Sequence, residues 1–357
     1  MKKVVHIIGR LAYGGAEKML LDICKRLDKD KFEVYVVVLQ DDNPLLPAFE
    51  KAGIQMEFFH KKGKLDWGVI KRVADYLTKL KPDVVHTHLF AGDFWGGMAA
   101  KKAKVPRIVS TKHDILNEGY WRNKLGRKAR RSFDKVIAIS KATQEFLIKV
   151  EKVDVEKTEL IYNGVEVNRF YKEKPELFES TKLNVGAVGR LSKEKGHKHL
   201  IRACIFIKNI DWRLTLVGDG AMRKELEHLV KLLSVEDKVK FTGLVDDVRE
   251  YLDDMDVFVL PSVSEGLSLS IIEAALAGKF IIATEVGGVP EIITHKDTGL
   301  LFKPKNIEEL VKHLNWVKDN KGKAANMAKS LQAQVMKKFD INKIVKQYEE
   351  MYENLTD

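Results

Sequence analysis

Short apolar runs alternate with longer segments of helical periodicity from one end of the chain to the other. In the first half the runs are VVHII (4–8), FEVYVVVL (32–39), IQMEFF (54–59), DVVHTH (83–88), RIVST (107–111) and KVIAIS (135–140), and they predict strands. Helical patterns lie between them near 15–28, 66–80, 93–103 and 141–150. The alternation restarts with NVGAVG (184–189), RLTLVG (213–218), KVKFTG (238–243), DVFVLP (256–261) and FIIAT (280–284), with helical patterns near 196–209, 220–234, 246–254 and 268–277. Runs this rich in Val and Ile, separated by helices, predict parallel sheets covered on both faces. Two such series in 357 residues predict an α/β chain of two Rossmann-like, doubly wound domains. The polar stretch Glu166 to Lys182 has a proline, many charges and little periodicity, and it marks the seam. The domains are accordingly set at 1–170 and 171–335. The tail from about Asn306 is helical throughout, and its last segment, within 336–357, is expected to cross back onto the first domain.

Composition narrows the class. A hydrophobic share of 45% and a charged share of 32% describe a soluble globular chain. The opening apolar run, Val4 to Ile8, is ended by Gly9 and Arg10. It is too short for a signal-peptide core, and no stretch approaches the roughly 18 apolar residues of a spanning helix. Cys24 and Cys204 lie far apart without metal-ligand spacing, which suits buried thiols in a reducing cytoplasm. The net charge of +11 is uneven: residues 1–175 hold 35 Lys+Arg and 23 Asp+Glu, the remainder 27 and 28. The first half is therefore expected to face something anionic. Its densest piece contains Arg122, Lys124, Arg127, Lys128, Arg130 and Arg131 with no acid, interrupted by Leu125 and preceded by Trp121. That pattern fits a solvated helix face, or attachment to an anionic membrane from the cytoplasmic side. No RNA- or DNA-module signature accompanies it, so nucleic acid is not an expected partner.

The glycine loops exclude two nucleotide-binding classes. Gly9 and Gly14 have Walker spacing, but Gly15 stands where Lys is required. Gly218 and Gly220 lack the third glycine of a dinucleotide fingerprint. Gly14 and Gly15, at the mouth of the first helix, suit either close backbone approach to an anion or a plain tight turn. In the second half VGRLSKEKG places Arg190 and Lys195 just past a strand, and both residue types suit phosphate oxygens. Its partner is PSVSEGLSLSIIEAALAG, with Glu265 and Gly266 in a loop and Ser268 or Ser270 positioned to cap the following helix. Glu273 falls in the first turns of that helix, so the helix dipole and Glu265 point at one place. A diphosphate there meets backbone donors and two cations, while carboxylates, being acceptors only, grip sugar or ribose hydroxyls. Two carboxylates also invite a glycosidase reading, but Glu273 behind a diphosphate site has no free side for that work. The Asp-x-Asp within 253–256 reads as helix-end charge, and no metal is implied.

Taken in order, GGAE (14–17), STKHD (110–114), IYNGVEVNRF (161–170), VGRLSKEKG (188–196), LVGDG (216–220), FTG (241–243) and the Glu-x7-Glu segment (265–273) resemble the family-4 retaining glycosyltransferases of the GT-B fold. The resemblance covers nearly the whole chain. It implies two domains facing a central cleft, a UDP- or GDP-linked sugar as donor, no cofactor and no metal. It implies that Arg190 and Lys195 bind the donor diphosphate, and that Glu265 contacts the transferred sugar beside the N–H groups of Gly266 and Leu267. Glu273 would hold the ribose, and Gly218 and Gly243 would lie in donor loops. Gly14 and Gly15 would approach the donor phosphates and the acceptor from the first domain, and His113 would reach the sugar across the cleft, whereas His86 and His88 are read as structural. The acceptor implied is a saccharide or lipid-linked saccharide of bacterial surface-glycan assembly. A sugar-nucleotide epimerase of the same fold and an inactive nucleotide-binding partner subunit are the alternatives. Ser268, and Lys279 with Phe280, depart from the family pattern without removing a charged contact.

Overall fold

The computed structural model describes residues 1–63, 65–115 and 119–356, and the chain divides into two compact units. The first unit comprises Met1–Gly164 and Ile341–Asp357, and the second comprises Val165–Asp340. The boundary thus precedes the polar stretch that marks the seam in the sequence, and the chain crosses it twice. At the crossings Val165 N–H donates to the Phe339 carbonyl at 2.8 Å, and a Cβ on Gly164 would lie 2.7 Å from the Ile341 Cα.

The first unit holds a seven-stranded sheet of β1 (Lys2–Ile8), β2 (Phe32–Val38), β3 (Gln55–Phe58), β4 (Val84–His88), β5 (Arg107–Lys112), β6 (Lys135–Ala138) and β7 (Thr158–Leu160). All its pairings are parallel, in the order β3-β2-β1-β4-β5-β6-β7. The chain therefore reverses direction across the sheet between β1 and β4, the point where open α/β sheets receive ligands. Strand parity assigns the two faces. Val5, Ile7 and Val85 pack with Val69, Val73 and Leu77 of the helix Trp67–Leu80. Val4, Val84, Val109 and Ile137 pack on the other face with Ile341, Ile344, Tyr348 and Tyr352 of the helix Ile341–Thr356. The closing helix is thus part of the first unit's core.

The second unit repeats the arrangement with β8 (Leu183–Val188), β9 (Trp212–Val217), β10 (Val239–Gly243), β11 (Val257–Leu260), β12 (Phe280–Thr284) and β13 (Leu300–Phe302). The order is β10-β9-β8-β11-β12-β13, again parallel, with the reversal between β8 and β11. Its core joins Val185, Leu214, Val257 and Phe280 to Leu200, Leu226, Leu310 and Val317 from the surrounding helices. Two edge strands, β7 and β13, are among the additions to the elements expected from the sequence, and the basic segment forms the helix Tyr120–Arg130. The helix expected near 93–103 opens as a wider π-turn, Gly92–Gly96, before Gly97–Lys102. Among the described residues no helix is long and apolar enough to cross a membrane. Cys24 and Cys204 are buried free thiols, and burial pushes both thiols up.

Candidate functional site

In the second unit the segments after β8 and β11 meet at the reversal point. Gly196 makes that approach possible. It adopts φ +66°, and a Cβ there would lie 2.1 Å from the Pro261 carbonyl oxygen, so only glycine lets the two turns touch. The contact is fastened by the Val263 N–H, which donates to the Glu194 carbonyl at 2.7 Å. As a result the Lys195 Nζ donates to Glu265 Oε1 at 2.7 Å. Ser262 Oγ donates to the same oxygen at 2.6 Å. Glu265 is buried at 9% exposure, so its charge is held by a cation and a hydroxyl instead of bulk water. A second turn braces this loop from behind. Gly287 has φ +52°, a Cβ on it would lie 1.7 Å from the Glu265 carbonyl oxygen, and the Gly288 N–H donates to the Gly266 carbonyl at 2.9 Å.

The remaining second-unit residues lie on neighbouring loops. Arg190 follows β8 and is exposed. Gly218, after β9, donates its N–H to the carbonyl of Gly243, at the end of β10, at 3.0 Å. Leu267 is buried just before the helix Leu269–Leu276, and Glu273 is a buried residue within that helix. Ser268 occupies the N-cap position but makes no side-chain cap bond, contrary to the sequence expectation. Its hydroxyl instead pairs with that of Ser270 at 3.1 Å, which leaves the first turn of the helix without a side-chain cap. The Asp-x-Asp segment is structural: Asp256 accepts from the Phe178 and Asn184 N–H groups, and the carbonyl of Asp253 accepts from the buried Lys279 at 2.9 Å.

In the first unit Gly14 is the N-cap of the helix Gly15–Arg26, in extended backbone at φ −156°. That conformation does not itself call for glycine. The buried Glu17 carboxylate lies against it, 2.3 Å from where a Cβ would stand, and brings negative charge to the helix mouth that the sequence offered to an anion. In the basic segment Arg122, Lys124, Lys128 and Arg131 are exposed beside Trp121, and Arg127 is half-buried. Arg130 departs from that surface. It is 4% exposed and turns inward to Asp93 at 2.6 Å and to both carboxylate oxygens of Glu151 at 2.7 and 2.6 Å. Asp93 in turn accepts from Thr87 and Ser110. A buried guanidinium needs such paired acceptors, and the helix turns one of its five cations inward to meet them.

His113 lies one residue beyond β5, and the structure adds neighbours that its sequence context hides. His6 on β1 is the register partner of His86 on β4, and His88 stands two residues further on the same face. His6 Nδ1 lies 2.9 Å from His88 Nε2, and His88 Nδ1 lies 3.1 Å from His113 Nε2. His86 stacks on His88 with ring centroids 4.3 Å apart, and its nitrogens bond Tyr352 Oη at 2.6 Å and Thr111 Oγ1 at 2.7 Å. Burial lowers His6 to about 3 and His113 to about 4, and it holds His86 and His88 well below the ordinary range, so all four rings are neutral at pH 7. His6, His86 and His88 bring nitrogens within 4.8 Å of one another, a grouping that metal ions favour. Both His86 nitrogens are already engaged, however, and His6 and His88 face each other, so hydrogen bonding accounts for the cluster. His6, Tyr352, Ser262 and Gly287 are site residues that no motif marks. The parity of His6 and His86 becomes informative only once β1 and β4 are known to be neighbours.

Residues 13–169 match the model of glycosyltransferase family 4, and residues 168–334 match that of glycosyl transferases group 1. An uncharacterized glycosyltransferase of Haemophilus influenzae is 29% identical over 330 residues, covering 90% of this chain and 91% of that one. The Escherichia coli UDP-Gal:alpha-D-GlcNAc-diphosphoundecaprenol alpha-1,3-galactosyltransferase is 26% identical over 377 residues, covering 98% of this chain and 96% of that one. The crystal structure of Anabaena HepE in complex with UDP-glucose is 26% identical and aligns with a TM-score of 0.88, covering 99% of this chain and all of that one.

Proposed function

The chain belongs to the GT-B glycosyltransferases of the family 4 type, and from that premise we propose that it is a retaining enzyme of bacterial surface polysaccharide or glycolipid synthesis. It moves a sugar from a UDP- or GDP-linked donor onto a saccharide or lipid-linked acceptor. The observation that carries this reading is the Lys195–Glu265 pair at the reversal point of the second sheet. A cation and a carboxylate are held there beside the N-terminus of the helix Leu269–Leu276, whose first turn has no side-chain cap. The pairing suits a ligand that carries both phosphate and hydroxyl groups.

Arg190 and Lys195 take the donor diphosphate. As the bond from the anomeric carbon to the diphosphate breaks, charge grows on the leaving oxygens, and these cations with the helix terminus stabilise it. The acceptor hydroxyl attacks the face that the diphosphate leaves. A bond forms from the acceptor oxygen to the anomeric carbon, and the hydroxyl proton passes to a diphosphate oxygen. Glu265, engaged through Oε1 by Lys195 and Ser262, accepts from sugar hydroxyls through Oε2, with Gly266 and Leu267 alongside. Glu273 holds the ribose, Gly218 and Gly243 border the nucleotide, and the step uses no metal. In the first unit His113 meets a hydroxyl of the sugar. With Glu17 at the helix mouth, Gly14 and Gly15 suit neutral hydroxyls of the acceptor better than phosphate. Arg122, Lys124, Lys128 and Arg131 with Trp121 rest on the anionic inner face of the cell membrane, where a lipid-linked acceptor is presented.

The test is incubation with UDP- and GDP-sugars, with and without a polyprenyl-diphosphate-linked saccharide. Nucleoside diphosphate released only with the acceptor supports transfer. Isomerised sugar nucleotide without acceptor identifies an epimerase, and nucleotide binding without turnover of any donor identifies an inactive partner subunit.

A further inference from the structure

Leu65 is 74% exposed and Trp67 is 58% exposed, although the turn that carries them is fastened in place. The Asp66 carboxylate between them accepts from the N–H groups of Lys62 and Val69 and from the Arg72 guanidinium, which also donates to the Phe59 carbonyl. The two apolar side chains are thus presented to solvent from a fixed support. From Trp67 a row of rings runs across the surface. Trp67 meets Trp95 and Phe94 edge-on, with centroids 5.5 and 6.3 Å apart, and Phe94 stacks on Phe90 at 5.8 Å. The π-turn Gly92–Gly96 makes the row possible. A Cβ on either of these glycines would collide with Ile7, so the turn lies directly on β1 and brings Phe94 and Trp95 beside Trp67. Lys61 lies over Trp95 at 5.2 Å, Arg122 of the basic helix over Phe90 at 4.5 Å, and Lys124 over Trp121 at 5.5 Å. The row therefore joins the Leu65–Trp67 turn to the basic helix, with cations along it. The acids that reach this turn are already engaged, Asp66 as above and Asp41 with His60 at 2.5 Å.

We propose that this row is a membrane-docking surface, in which Leu65 and Trp67 enter the interfacial zone of an anionic phospholipid bilayer while Lys61, Arg122 and Lys124 meet its phosphate and carboxylate groups. Apolar side chains held in water mark interaction sites. Tryptophan settles at the depth of lipid head groups, and cations with apolar stems reach the phosphates from there. A saccharide would stack on bare rings, whereas Trp95, Phe90 and Trp121 each have one face taken by a cation. The inference rests on the proposed membrane contact of the basic helix and adds to it an apolar anchor on a separate element. Partition of the full chain into vesicles of phosphatidylserine and phosphatidylcholine tests it, read by cosedimentation and by tryptophan quenching with acyl-brominated phosphatidylcholine. The wild type is expected to bind with quenched emission, and Trp67→Phe to lose a large share of the quenching while still binding. The double variant Leu65→Ser, Trp67→Ser is expected to lower partition about tenfold or more at unchanged helix content. Should it not fold, the difference in quenching between wild type and Trp67→Phe still decides. A wild type that prefers anionic vesicles, with undiminished binding by the double variant or quenching that Trp67→Phe leaves intact, overturns the inference and leaves the basic-helix contact standing. A wild type that binds no vesicles, or neutral and anionic ones equally, overturns both. Self-association of the wild type that the double variant loses, without vesicle binding, assigns the row to a second copy of the chain and likewise overturns it.

Discussion

Glu265 Oε1 receives Lys195 at 2.7 Å and Ser262 at 2.6 Å, and this double engagement decides what the carboxylate does. A carboxylate whose charge is shared by an ammonium and a hydroxyl is a weak nucleophile and a well-oriented acceptor. Lys195, for its part, is held at the sheet end by Glu265, so under the proposed function little side-chain entropy would remain to be lost on binding a diphosphate. Removing either partner loses its own contact and also loosens the other. Lys195→Ala and Glu265→Ala are each expected to lower kcat/KM by about 100-fold or more, measured in steady-state assays with a turned-over donor. Near-normal rates in both variants would remove this pair from the site.

At the scale of elements, the pair exists because three turns pack backbone against backbone, and glycine is the device at two of them, Gly196 and Gly287. Gly287→Ala tests the brace behind Glu265. With φ +52° and a Cβ 1.7 Å from the Glu265 carbonyl, the substitution must push the loop aside. The variant is expected to lose about 1–3 kcal/mol of stability in urea unfolding, with a fall in kcat/KM at unchanged helix content. A variant as stable and active as the wild type would show that the loop has slack. The basic helix Tyr120–Arg130 carries a separate expectation. The double variant Arg122→Glu, Lys124→Glu should abolish flotation with vesicles of one part phosphatidylserine to three of phosphatidylcholine, and equal binding of the wild type to neutral and anionic vesicles rejects the membrane contact.

Legibility also divides at this scale. Runs such as VVHII and FIIAT are central strands buried on both faces, so their apolar content announces them. The three-residue edge strands β7 and β13 give periodicity too little length to register. Arg190, Lys195, Glu265 and Glu273 stand out as charged residues at strand and helix ends. Ser262 and Gly287 act on Glu265 through contacts that exist only after folding. Arg130 shares its segment with exposed cations, and composition alone could not say which one turns inward. The hydroxyl of Ser268 stands at the cap position but finds Ser270 instead, a choice between a backbone N–H and a neighbouring hydroxyl that spacing does not resolve.

At the scale of the molecule, two units repeat one plan, and each places its chemistry at its own reversal of strand order: the histidines at β1 and β4, the Lys195–Glu265 pair at β8 and β11. The first unit carries the larger histidine titration, four buried rings against the buried His197 of the second, which burial lowers to about 4. His6, His86, His88 and His113 are neutral when folded, with values depressed from 6.5 by burial. A depressed folded value means that the stability is fully present above 6.5 and is lost as pH falls, because the unfolded chain takes up protons that the folded chain refuses. The window runs from 6.5 down to about 4 for His113 and about 3 for His6. Between about pH 7.5 and pH 5 His6 and His113 each lower stability by about 2 kcal/mol, and His86 and His88 act in the same direction. The urea midpoint of the first unit should fall steeply over that range, and a midpoint independent of pH would contradict the buried neutral cluster.

The central claim is that the second unit's switch point binds a nucleoside diphosphate through Lys195 and its neighbours. Titration calorimetry of UDP and GDP into the wild type, Lys195→Ala and Glu273→Gln tests it most directly. The account predicts saturable binding of one nucleotide by the wild type, weakened at least about tenfold in each variant. Binding of neither nucleotide by the wild type, or equal affinity in all three proteins, would contradict it.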